Sequence, residues 1–253
     1  MAKTTGIRAC IDRVIPKELQ AMARAKAVEE NPANASAFEM ALVTGKMWKP
    51  GRVLTVCFLN GEASVQEKVK KYAKQWSSWA NITFNFVNGH DAVIRISFEE
   101  PGSWSAIGTD ALVTDYFKRN EPTMNFGWLT PDTKDLEYSR VVIHEFGHAL
   151  GCIHEHQNPA GGIKWNKEAV YRALGGPPNN WSKAQIDHNM FETYSRTLTQ
   201  FTEFDPQSIM LYAFPKEWTL DGLEMKENDT TSDTDRRFIA ARYPKTAPAV
   251  STV

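Results

Sequence analysis

The stretch VVIHEFGHALGCIHEHQNP, Val141 to Pro159, constrains the fold more than any other part of the chain. Val142, Phe146 and Leu150 recur at every fourth position, which predicts a helix from Leu136 to Leu150. On such a helix His144 and His148 are i and i+4, so both imidazoles project from one face. Gly151 then stops the helix. Lacking a Cβ, it can take positive φ and reverse the chain, which brings His154 back towards the other two histidines.

Three neutral imidazoles around one cation leave a coordination position open, the arrangement of a catalytic zinc site; structural sites are closed by four protein ligands. One Zn2+ held by His144, His148 and His154 is therefore the expected cofactor. Zinc lowers the pKa of a bound water towards ~7 and polarises a carbonyl. Glu145, beside the first ligand, is placed to take the proton of that water and hand it to a leaving amine. A bare HExxH arises by chance on helical surfaces. The glycine and the third histidine at their required offsets make the signal specific. Neither an oxygen-rich metal pair nor a carboxylate dyad is signalled, so peptide-bond hydrolysis fits better than phosphate or glycoside chemistry.

HEFGHALGCIHE resembles the elongated zinc motif HExxHxxGxxH of the metzincins, and Glu155 after the third histidine is similar to their astacin-like branch. SIMLY, Ser208 to Tyr212, resembles that branch's Met-turn SxMHY. The resemblance implies an α+β fold: a twisted five-stranded mixed sheet with two long helices, above an irregular, helix-containing lower subdomain, with the zinc cleft between. It also implies Met210 as the floor under the metal and Tyr212 as a movable ligand that assists the oxyanion. The substrate would be a protein or peptide bound in extended form along an edge strand. By position SWSAIG, Ser103 to Gly108, is the expected edge, with Trp104, Ser105, Ala106 and Ile107 as substrate-binding residues. AFPKEW after the Met-turn is expected to line the S1′ wall, with Lys216 solvated.

The chain departs from the astacin pattern in several ways. Leu211 stands where the Met-turn usually has histidine. Three cysteines cannot form that branch's disulfides in full. About fifty residues precede the first expected strand, and they contain no FxGD aspartate. Cys10, in IRACIDR, has two readings: a thiolate that caps the zinc of a silent zymogen, or a packed cysteine with no ligand role, which is the plainer one. Cys57 and Cys152 read as small buried hydrophobes. His156 reads as a neighbour of the site rather than a fourth ligand, His90 falls in a turn, and His188 on an amphipathic helix.

Elsewhere, periodicity predicts a helix after Pro16, a second short one over residues 33–42, and a turn in GKMWKPG. Strands are expected in RVLTVCFL, NITFNFV, AVIRISFE and TMNFGWL, with a helix from Val65 to Ala80 after the first. Asn166 and Ser182 are expected N-caps, and SDTDRRFIAARYP a closing helix. The organisation read from this is a helical extension over 1–50, a metallopeptidase domain over 51–245 and a tail over 246–253.

With 42% hydrophobic residues the chain can build a core, and 29 basic against 30 acidic residues give no electrostatic case for nucleic acid or an anionic membrane. No apolar run reaches the ~18–20 residues of a membrane span. The start lacks an apolar signal core, compatible with cytoplasmic residence or with export after trimming. A monomer is expected. Two rival readings remain beside the endopeptidase and its zymogen: a silent zinc- or peptide-binding module, and a hydrolase of non-peptide amides.

Overall fold

A computed structural model describes residues 8–35, 43–158, 160–193 and 203–245. The expected tail and most of the second N-terminal helix lie outside these residues. α1 spans Gln20–Glu30, preceded by a 3-10 turn at Lys17–Leu19. β1 (Val53–Phe58) leads into α2 (Ala63–Ala73), and β2 (Thr83–Phe86), β3 (Ile94–Ser97), β4 (Ser103–Ser105) and β5 (Met124–Phe126) follow. α3 (Asp135–Ala149) carries the histidine motif; α4 (Lys167–Leu174), α5 (Lys183–Ile186) and α6 (Asp233–Arg242) complete the order.

The five strands form one mixed sheet in the order β2-β1-β3-β5-β4. Only β4 runs antiparallel, against β5, and it lies at the sheet edge. The helix between the parallel β1 and β2 is the crossover such a pair needs. It is shorter than predicted. After Ala73 the chain tightens into a 3-10 turn at Trp76–Ser78, which turns Trp76 inward to donate from Nε1 to the carbonyl of Ile143 at 2.8 Å.

α3 is fixed over the sheet by Phe146, whose ring meets Phe84 edge-on with centroids 4.8 Å apart. Its C-terminal end would expose unpaired carbonyls. Gly151 at φ +93° closes it instead: the Cys152 amide donates to Gly147 and the Gly151 amide to His148, a Schellman pair. Trp48 Nε1 and the Tyr243 hydroxyl satisfy the carbonyls of Ala149 and Leu150, each at 2.7 Å. Trp48, Met47 and Ile15 belong to the main core, so parts of the first fifty residues are built into the body of the molecule.

A second, smaller core holds Val170, Leu174, Ile186 and Met190 of the lower part together with Tyr212, Trp218, Ala9 and Cys10. Here the helix opened by the Ser182 capping box passes after one turn into a π-turn, Asp187–Phe191. No helix among the described residues is long and apolar enough to cross a membrane.

Candidate metal centre

α3 and the loop after it bring His144, His148 and His154 to one point. Their Nε2 atoms lie 3.1, 3.2 and 3.3 Å apart. Tetrahedral zinc with Zn–N near 2.0–2.1 Å sets ligand nitrogens roughly 3.3 Å apart, so the triangle has the right size. The tautomers follow from the opposite ring nitrogens. His144 Nδ1 faces the carbonyl of Ile209 and His148 Nδ1 that of Cys152, each at 2.8 Å, so both must donate there. His154 Nδ1 faces the carboxylate of Asp12 at 3.3 Å. The Nε2 lone pairs of His144 and His148 therefore meet with no proton between them, which is unfavourable unless a cation stands there. Burial, then the neighbouring imidazoles, holds His148 down at about 3 and His144 well below the usual histidine range. The His144 and His148 rings are thus neutral and able to ligate a cation. The donor set fits zinc.

Cys10 joins this group: its Sγ and the three imidazole nitrogens all lie within 4.8 Å of one another, and all four residues are buried. Cys10, read from the sequence either as a cap on the zinc or as a packed cysteine with no ligand role, is packed beside the three histidines. The thiol donates to Glu145 Oε2 at 3.3 Å. Burial first, then the charges of Glu145 and Asp12, raises the Cys10 thiol well above its ordinary range, and burial pushes Glu145 up to about 8. A dication at the centre would reverse this for the thiol by favouring the thiolate.

The other expected residues fall around the same point. Met210 is buried, and its Sδ would lie 2.5 Å from a Cβ on Gly147, so the thioether fills the space that this glycine leaves under α3. The carbonyl of Met210 accepts from the Glu155 amide at 2.9 Å, tying this turn to the third histidine's loop. Tyr212 is wedged between the rings of His154 and His156, with centroids at 4.3 and 4.4 Å, and its hydroxyl donates to the backbone carbonyl of Cys10. A narrow cavity beside Glu145 runs between Trp128, Arg140, Leu211, Ala213 and Trp218. Lys216 is exposed and outside it.

The expected edge is β4, but only Ser103–Ser105 is strand, because a 3-10 turn begins at Gly108 with φ +52°. Trp104, Ser105, Ala106 and Ile107 are all buried, and Trp104 packs into the core against Phe117. The backbone edge is taken by the N-terminal segment: Cys10 bridges Ser103 in parallel, and the Ile11 amide donates to the Ser103 carbonyl at 3.1 Å. Two residues at the site carry no signal in the sequence. Asp12 reaches His154 from the N-terminal segment, and Asn189, in the π-turn, accepts from the Asp12 amide at 2.8 Å while its carbonyl accepts from His156 at 2.7 Å.

With this geometry in place, the relatives become informative. The matrixin family matches residues 54–161. A solved structure of myroilysin is 48% identical, with 81% of this chain and 99% of that chain covered and a TM-score of 0.77. The chain belongs to the metzincin-type metallopeptidases, with myroilysin. A second myroilysin structure, 43% identical with a TM-score of 0.67, covers 95% of this metzincin and 93% of its own chain. The hatching enzyme HCE-1, a zinc-protease from the medaka fish Oryzias latipes, shares the fold at 18% identity, with 79% and 95% of the two chains covered and a TM-score of 0.55. No curated protein matches the chain. These relatives and the histidine–cysteine cluster agree on a zinc metalloprotease with the α+β architecture read from the sequence.

Proposed function

We propose that this metzincin is an astacin-like zinc endopeptidase in a latent state, covered by its own N-terminal segment. The observation that carries the reading is the convergence of three imidazole Nε2 atoms with Cys10 Sγ as the fourth group. His144, His148 and His154 would hold one zinc, which supplies Lewis-acid polarisation of the scissile carbonyl and a more acidic water. Glu145 takes the proton of the attacking water and returns it to the leaving amine. The Tyr212 hydroxyl, released from the Cys10 carbonyl, donates to the developing oxyanion. Met210 supports the histidines from below, and the edge of β4 pairs with an extended peptide once Cys10 and Ile11 have left it. Glu155 and the SIMLY turn support the astacin-like assignment.

Latency has one cause on each side of the cleft: Cys10 covers the centre and engages the base, while Cys10 and Ile11 occupy the strand edge. The test compares the full chain with a chain that begins at Ile15, so that the buried Ile15 and Trp48 remain. Both are offered quenched peptides with and without chelator. Chelator-sensitive cleavage is expected from the shortened chain and little from the full one. Equal activity in both removes the latency, and none in a zinc-loaded, folded, shortened chain favours a silent binding module.

A further inference from the structure

We infer that Asp12 is the positioning partner of His154, so that the N-terminal segment holds the metal centre together as well as covering it. The inference rests on reading His144, His148 and His154 as zinc ligands. A ligating histidine is oriented by the acceptor on its other nitrogen, and that partner matters for metal retention. His144 and His148 take theirs, the carbonyls of Ile209 and Cys152, from the body of the enzyme. His154 does not. Its Nδ1 has no hydrogen-bonded carbonyl among the described residues and faces only the Asp12 carboxylate, at 3.3 Å, within ion-pair range though off the hydrogen-bond direction.

Asp12 is itself a residue in need of positive charge. Its side chain is 3% exposed, its Oδ2 makes no hydrogen bond, and His188 Nε2 is at 4.0 Å. Burying a carboxylate so completely is costly without a compensating charge. A dication held through His154 would supply it. The position is also built rather than incidental: the Asp12 amide is fixed by Asn189 Oδ1, and the next residue, Arg13, lies over the Trp104 ring at 4.2 Å. The third ligand thus depends on a carboxylate that departs with the segment, and the uncovered enzyme holds its zinc less firmly than the latent one.

The test uses the full chain, as wild type and Asp12→Asn. Zinc transfer to a chelating indicator is timed, and the cobalt-substituted forms are examined for thiolate-to-metal absorption, which reports whether Cys10 is still seated. Release about 10–100-fold faster in the variant is expected, with the thiolate absorption retained and unfolding of the metal-free form unchanged. Release at the wild-type rate overturns the inference. So does faster release accompanied by loss of the thiolate absorption, since Asp12 would then only anchor the segment. Should Asp12→Asn fail to fold, Asp12→Ser makes the same comparison, and Asp12→Glu is expected to recover part of the retention. A folded wild type that takes up no zinc overturns the metal centre itself.

Discussion

The Cys10 thiol and the Glu145 carboxylate meet at 3.3 Å, so one residue of the N-terminal segment engages the candidate base while standing beside its three histidines. Glu145 is buried, and among the described residues no Lys or Arg forms a salt bridge with it; Arg140 pairs with Glu137 and Glu227 instead. The proposed role of Glu145 is to move a proton, and a neutral isostere tests it. Glu145→Gln, in the chain that begins at Ile15, is expected to keep zinc content and unfolding temperature. Peptide hydrolysis should drop by about 10²–10⁴-fold, the usual worth of a positioned general base. A variant with most of its activity left would remove Glu145 from the chemistry.

Gly147 is the second residue whose role can be isolated. A methyl group there would sit 2.5 Å from Met210 Sδ and 3.1 Å from a ring carbon of Trp76. Alanine gains up to about 1 kcal/mol of helix propensity over glycine, but overpacking a filled site costs about 1–3 kcal/mol. The overlap is expected to win. Gly147→Ala should unfold at lower denaturant and lose zinc to chelator sooner. Adding Met210→Ala should then cost less than its separate effect predicts, because the two changes share one space. Strict additivity would show that the two groups do not press on each other.

How much of this could be read in the chain depends on distance along it. The spacing of His144, His148, Gly151 and His154 is local, and a helix closed by a Schellman turn brings the three histidines together. The strand-helix-strand order of residues 53–86 was legible for the same reason. Cys10 and Glu145 are 135 residues apart, and Asp12 and Asn189 are 177 apart. No local pattern announces such pairs. β4 was legible as an edge, but its three residues are buried on both sides, so alternation could not reveal that Trp104 turns into the core.

Arg95 illustrates a structural device with a sharp consequence. From β3 its guanidinium donates to the carbonyls of Ala92, Phe117, Lys118 and Glu121, at 2.7 to 3.0 Å. It thereby ties the loop before β5 to the sheet. Lysine carries the same charge but cannot reach several carbonyls with a planar fork. With charged hydrogen bonds worth about 1.5–3 kcal/mol each, Arg95→Lys is expected to destabilise by about 3 kcal/mol or more in urea unfolding. A loss below ~1 kcal/mol would mean that water replaces the missing donors.

Asp235 joins the closing helix to the turn around Met210. Its carboxylate accepts from the Ser208 hydroxyl and the Ile209 amide, each at 2.8 Å, and from the Ser232 amide at 2.9 Å. Burial nevertheless outweighs these bonds and raises its pKa above 3.8. The folded chain therefore binds this proton more tightly than the unfolded one, and the contribution of Asp235 to stability falls as pH rises from about 3.8 through the raised folded value. Asp235→Asn removes that titration and gives up an acceptor, so it should be less stable throughout. The gap to wild type should be widest at the acid end and narrow as pH rises. Urea unfolding of both metal-free chains across mildly acidic to neutral pH measures it. A gap that widens with pH would show instead that the hydrogen bonds, and not burial, set the state of this carboxylate.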